Sequence, residues 1–124
     1  MTNERSYKLS VEDRGEYLYA LVGGEKLTAN IAAAYWNEIA GHCFDLKKDK
    51  ILIEKDFVEG VGPAEMLEMA TLVGDLLPNR KIAFIDRFEH RDINELGKKL
   101  ARNRLVMMQI FDGIDEAERW LLAN

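Results

Sequence analysis

Four carboxylates each stand just after an apolar, strand-like run. Glu54 and Asp56 follow Ile51-Leu52-Ile53, Asp86 follows Lys81-Ile82-Ala83-Phe84-Ile85, and Asp112 follows Leu105 to Phe111. If those strands lie parallel and adjacent, their carboxyl ends meet at one sheet edge, where α/β folds place their ligands. Clustered carboxylate oxygens suit a hard cation such as magnesium. The favoured alternative is that Asp86 and Asp112 cap the helices that follow them and that the other two acids are solvated. His42 and His90 have no partner at a recognised metal-ligand spacing except Cys43 beside His42, and adjacent helical residues point about 100° apart. Cys43 fits the core face of a helix better than a nucleophilic pair.

Other reactive residue types are sparse or badly placed. Serine occurs only at Ser6 and Ser10, both in the region of the first strand, so none sits on a strand-to-helix nucleophile elbow. Gly60-Val61-Gly62-Pro63 opens a helix but lacks the lysine and hydroxyl of a phosphate-binding loop, and Asp56, Glu59 and Glu65 around it repel phosphate. The basic run Lys98, Lys99, Arg102 and Arg104 has no interleaved aromatic residues, so it reads as a solvated helix end complementing the helix dipole. The expectation is therefore a protein without catalytic residues, cofactor or metal.

The elements that position these residues follow from hydrophobic periodicity. Tyr7, Leu9 and Val11 alternate with polar residues and predict a strand, and Asp13-Arg14-Gly15 a turn. Glu16 to Val22 predicts a second, two-faced strand, antiparallel to the first and ended by Gly23-Gly24. Thr28 is placed to cap a helix whose residues Ile31, Ala32, Tyr35, Trp36, Ile39 and Cys43 share one face. Ile51 to Ile53 predicts a short third strand, and Pro63 starts a second helix reaching about Leu77. Lys81 to Ile85 is the fourth strand, Asp92 to Arg102 the third helix, Leu105 to Phe111 the fifth strand, and the last helix aligns Ile114, Ala117, Trp120 and Leu121. Strands alternating with helices of this length require parallel pairing through right-handed crossovers. The predicted fold is α/β: one domain over residues 1–124, with a mixed five-stranded sheet, antiparallel only at its first strand, and four helices.

Composition sets the outer bounds. The 124 residues, 48% hydrophobic and 31% charged, suit one globular core without disulfide or metal. With 17 Lys and Arg against 22 Asp and Glu, the net charge of −5 opposes binding to nucleic acid. Apolar runs reach only six residues, as from Ile31 to Trp36, against about 20 needed to span a bilayer. The polar start, Met1 to Arg5, carries no signal-peptide core, and a lone cysteine agrees with a reducing cytoplasm.

The second helix is unusual. Met66, Leu67, Met69, Ala70, Leu72, Val73, Leu76 and Leu77 leave only a narrow polar stripe of Glu65, Glu68, Thr71 and Asp75. That arc exceeds what packing on one sheet face requires. It predicts a deeply buried helix, a methionine-rich surface for a partner subunit, or a lid over an apolar ligand.

Several segments together resemble the SpoIIAA-like family, related to the STAS domains of sulfate transporters and anti-sigma factor antagonists. They are the hairpin, Leu27-Thr28 opening a helix, Ile51 to Ile53, the run Lys81 to Asp86, and Ile110-Phe111-Asp112 followed by Glu116-Ala117-Glu118-Arg119-Trp120-Leu121. The resemblance implies a β-α superhelix, a fold shared with CRAL-TRIO lipid-binding domains, and a noncatalytic binding module. In the family's anti-sigma factor antagonists a phosphorylatable serine opens the second helix. Here the stretch from Glu54 to Pro63 has neither serine nor threonine, so that switch is not expected to operate there. Two functions are therefore expected: association with a protein partner, including a homodimer, or carriage of an apolar, lipid-like ligand with transient membrane contact. Tyr35, Trp36, Met66, Met69, Leu72, Val73 and Phe84 are the candidate ligand or interface residues.

Overall fold

The computed structural model describes residues 7–88 and 90–123; Ser6 and the polar start from Met1 to Arg5 lie outside the described residues. The element order is β1 (Lys8–Asp13), β2 (Leu18–Lys26), α1 (Ala29–Leu46), β3 (Lys50–Glu59), α2 (Pro63–Leu76), β4 (Lys81–Asp86), α3 (Arg91–Arg102), β5 (Met107–Phe111) and α4 (Ile114–Leu122). The five strands form one sheet in the order β1-β2-β3-β4-β5. Only β1 runs antiparallel to its neighbour. This is the α/β architecture expected from the sequence.

Handedness explains the layering. Three successive crossovers of one hand, each stepping to the next strand, place α1, α2 and α3 on the same sheet face. The chain after β5 makes no crossover, and α4 folds back against β3 and β4 on the other face. Two apolar clusters result. The larger one joins the α1, α2 and α3 side chains to Ile51, Ile53, Phe57, Ile82 and Phe84; the smaller joins Ala117 and Leu121 of α4 to Tyr19, Leu52, Ala83 and Ile85.

Local signals act where the sequence placed them. Thr28 caps α1, its Oγ1 accepting the Ile31 N–H at 3.2 Å, and Pro63 stands in the first turn of α2. Cys43 is buried on the core face of α1, where burial pushes its thiol pKa up to about 11.

Element ends differ from expectation. β3 continues past Ile53 to Glu59, because β2 itself runs on through Gly23-Gly24 and keeps pairing with it. A Cβ at Gly23 would lie 2.7 Å from the Asp56 carbonyl oxygen, so the glycine permits the close strand approach there instead of ending the strand. Glu54 and Asp56 are thus strand residues, not residues of a following loop. β5 begins at Met107, two residues late, because Leu105 takes a left-handed φ of 65°.

The apolar arc of α2 also has a fold-level cause. α2 packs against α1 on one side and α3 on the other, and its inner side chains join the apolar cluster that contains the sheet residues. Met66, Met69, Ala70 and Val73 are buried, Leu72 and Leu76 are half-buried, and Leu67 is exposed. Three packed surfaces need a wider arc than one. The helix is core, as the first of the three readings has it, and Met66 and Met69 form no outer surface.

Candidate functional site

Strand alternation sorts the four acids onto different sides of the sheet. Glu54 points to the α4 face. There it accepts the Tyr19 hydroxyl at 2.6 Å and the Arg87 Nε–H at 2.7 Å, and Arg87 reaches Asp56 at 3.4 Å. Burial raises the Glu54 pKa, but the Tyr19 and Arg87 bonds outweigh it and hold the carboxyl below its ordinary range. The Tyr19 hydroxyl is pushed up to about 12 by burial and by that carboxylate.

Asp86 lies on the opposite face, toward α3. Its Oδ1 accepts the Phe88 N–H at 3.0 Å; its Oδ2 faces His90 Nδ1 and accepts from Asn94 Nδ2, both at 2.8 Å. Burial raises its pKa, and the Asn94, His90 and Phe88 contacts together with the Lys55 charge bring it below the ordinary value. Asp112 is exposed at the end of β5. The four carboxylates therefore do not converge, and among the described residues no group of three or more His, Cys, Asp or Glu side chains could hold a metal ion. Nor do Asp86 and Asp112 cap helices, since the residues at those positions are His90 and Gly113.

Between the sheet and α1, α2 and α3 lies a buried cavity of about 30 Å³. Six of the seven residues expected at a ligand site line it: Tyr35, Trp36, Met66, Met69, Val73 and Phe84. The seventh, Leu72, does not. Gly97 lets α3 approach closely, because a Cβ there would meet the Met66 sulfur at 2.7 Å.

The lining also contains two residues that apolar periodicity does not single out, Lys55 from β3 and Asn94 from α3. Lys55 is 2% exposed, and its Nζ lies 5.1 Å from the centroid of the Phe84 ring. Burial lowers its pKa to about 8, while the charge of Asp86 opposes the fall. Among the described residues Asn94 Oδ1 is buried without a hydrogen-bond partner, and the buried Tyr35 hydroxyl and Trp36 Nε1 have none at close hydrogen-bond geometry, although Trp36 is near enough to lower the Tyr35 pKa. Such groups are rare in folded proteins and need a specific explanation. Burial pushes the Tyr35 pKa far up, so the hydroxyl keeps its proton. Lys55 stands two residues after Ile53 and two before Phe57, so strand alternation puts it on their face, a signal that is visible only if β3 continues past Ile53.

No family model matches the chain, and no curated protein matches it. Solved structures do. An anti-sigma factor antagonist from Mycobacterium paratuberculosis superposes with a TM-score of 0.67 at 13% identity, covering 95% of this chain and 96% of that one. An uncharacterized protein of the DUF3478 family from Shewanella loihica PV-4, described as having a SpoIIAA-like fold, superposes with a TM-score of 0.56 at 15% identity, covering 98% of both chains. The fold is SpoIIAA-like over nearly its whole length.

Proposed function

We propose that this chain, built on the SpoIIAA-like fold, is a noncatalytic cytoplasmic module that acts by protein association, self-association included, at the carboxyl edge of its sheet. The observation that supports this most directly is the pair Val58 and Phe88, 49% and 46% exposed, which line one open groove beside the β1-β2 hairpin. They stand at the ends of adjacent strands, next to the opening of α2. Large apolar side chains held at a rim with charged neighbours such as Asp56 and Glu25 suit the centre of a protein contact. The fold of an anti-sigma factor antagonist, a protein named for acting on another protein, agrees with this reading.

Association here is constitutive. The loop before α2 has no hydroxyl to phosphorylate, and Glu65 already accepts the Gly62 N–H at 2.9 Å, so a carboxylate occupies the start of the helix. Among the described residues no helix is long and apolar enough to cross a membrane.

Native mass spectrometry across a dilution series tests the proposal. A dimer that dissociates on dilution is expected, and the double variant Val58→Asp, Phe88→Asp should be monomeric at concentrations where the parent is dimeric. Its melting temperature in the dilute, monomeric range should match the parent's, because both positions are solvent-exposed. A parent that stays monomeric at every concentration removes self-association; a dimer untouched by the double variant removes this edge.

The second reading, carriage of an acyl chain, rests on the cavity beneath α2 and α3. About 30 Å³ holds roughly two water-sized groups, so a long chain enters only if those helices part. Lipid extraction and mass spectrometry of freshly purified protein test it, and a lipid-free sample whose melting temperature ignores added fatty acid ends it.

A further inference from the structure

The two edges of the sheet are finished differently. β1, at one edge, carries Lys8, Glu12 and Asp13, charges of the kind that keep an open strand from pairing with another chain. β5, at the other edge, is Met-Met-Gln-Ile-Phe, with neither a charge nor a proline. Among the described residues β4 is its only strand partner. The Met107 N–H donates to the Arg80 carbonyl on the β4 side at 3.0 Å, so alternation turns the N–H and C=O groups of Met108 and Ile110 outward.

The side chains of β5 divide just as clearly. Met108 and Ile110 join the core beneath α1, α2 and α3. Met107, Gln109 and Phe111 alternate onto the α4 face, where Met107 is 56% exposed and the Phe111 ring lies 5.6 Å from that of Trp120. Charge is graded along the strand: Arg102 and Arg104 precede it, and Asp112 and Asp115 follow it.

We infer that β5 pairs antiparallel with β5 of a second copy of this chain, about a two-fold axis at Gln109. In that register Met108 and Ile110 of each copy exchange backbone hydrogen bonds with Ile110 and Met108 of the other, about four bonds in all. The exposed Met107 of one copy meets the Phe111 ring of the other on the α4 face, a cross-strand pair that covers it. The basic approach to one strand comes alongside the acidic exit of the other, whereas parallel pairing in register would set like charges together. That complementarity selects a second copy, run antiparallel, as the occupant. The contact is one short strand per copy, below the area of a stable interface, so a Kd of about 0.1–1 mM is expected. The groove holding Val58 and Phe88 adjoins the β1-β2 hairpin at the other edge, so this pairing adds to association there and does not obstruct it.

Sedimentation equilibrium of the Val58→Asp, Phe88→Asp variant isolates the β5 contact, because the groove beside the hairpin is then blocked. This variant should dimerise as its concentration approaches about 2 mM. Added to it, Gln109→Lys alone or Gln109→Glu alone should raise the Kd at least about threefold, since like charges then face each other across the axis. An equal mixture of the two charge variants should restore a dimer, which also shows that both are folded. No dimer up to about 2 mM without a change at Gln109 would overturn the inference. So would a dimer that either charge leaves unchanged, or a mixture that stays monomeric. A dimer of the parent chain that survives Val58→Asp, Phe88→Asp on dilution but is lost with Gln109→Lys would support this pairing while removing the groove beside the hairpin.

Discussion

Glu54 and Lys55 are consecutive residues of β3, both almost fully buried, and they meet burial in opposite ways. On the α4 face Glu54 has a tyrosine and an arginine within 2.7 Å. On the α1-α2-α3 face Lys55 has an aromatic ring and an apolar cavity, and no carboxylate among the described residues pairs with it. A charge whose bonds are complete acts as structure. A buried charge without a carboxylate beside it costs stability. The smaller apolar layer under α4 is thus built around a finished polar link, and the larger layer contains an unfinished one.

The largest effect should come from breaking the finished side. Arg87→Ala leaves the Glu54 carboxylate buried with Tyr19 alone, and a loss of about 2 kcal/mol is expected in urea unfolding at pH 7. That figure is below the 3–5 kcal/mol of a wholly buried pair because Arg87 is itself half exposed. A change under about 0.5 kcal/mol would mean that the pair is only a surface contact.

Removing the unfinished charge should act in the other direction. In chloride buffer Lys55→Met should stabilise the protein by about 1–2 kcal/mol at pH 7, since an apolar side chain of similar length replaces an ammonium without a partner. The gain should shrink as pH rises. The folded pKa of about 8 lies below the ordinary 10.5, so between these values the unfolded chain holds a proton that the folded one has released, and parental stability climbs with pH. Below about pH 8 both states are protonated and the penalty is constant. Unfolding curves for parent and variant that stay parallel from pH 7 to 10 would contradict a buried, charged Lys55.

The smallest effect should come from Asp86→Asn, at about 1 kcal/mol, because it replaces charge-assisted hydrogen bonds to His90 and Asn94 with neutral ones. Its acid limb decides the cause. The folded pKa of Asp86 lies below its ordinary value of 3.8, so its contribution is present above about pH 4 and fades as pH falls through the folded value. The difference between parent and variant should therefore narrow toward pH 3. A difference independent of pH would assign the loss to packing.

These contrasts also show what periodicity can carry. The nine elements, their order, the antiparallel first strand, the Thr28 cap and six residues of the cavity wall were legible, because apolar spacing and cap chemistry are local. The end of β3 was not legible. Its apolar triplet stops at Ile53, while the strand continues because β2 continues beside it. That error placed Glu54 and Asp56 in a loop and hid the fact that Lys55 faces inward. His90 was equally obscure, since its partner Asp86 becomes adjacent only when the turn after β4 folds. The wide apolar arc of α2 was visible in full, but its meaning depended on how many neighbours the helix has.

The sequence by itself determined an α/β chain with parallel crossovers, a core of known residues and no hydroxyl before the second helix. Those properties are set by the types and spacing of residues a few positions apart. Only the tertiary structure decided which buried charges find partners, because strand register brings Tyr19 and Arg87 to Glu54, and no carboxylate among the described residues into contact with Lys55. Whether burial leaves a polar group satisfied depends on atoms distant in the chain meeting within about 3 Å, and no local pattern encodes that distance.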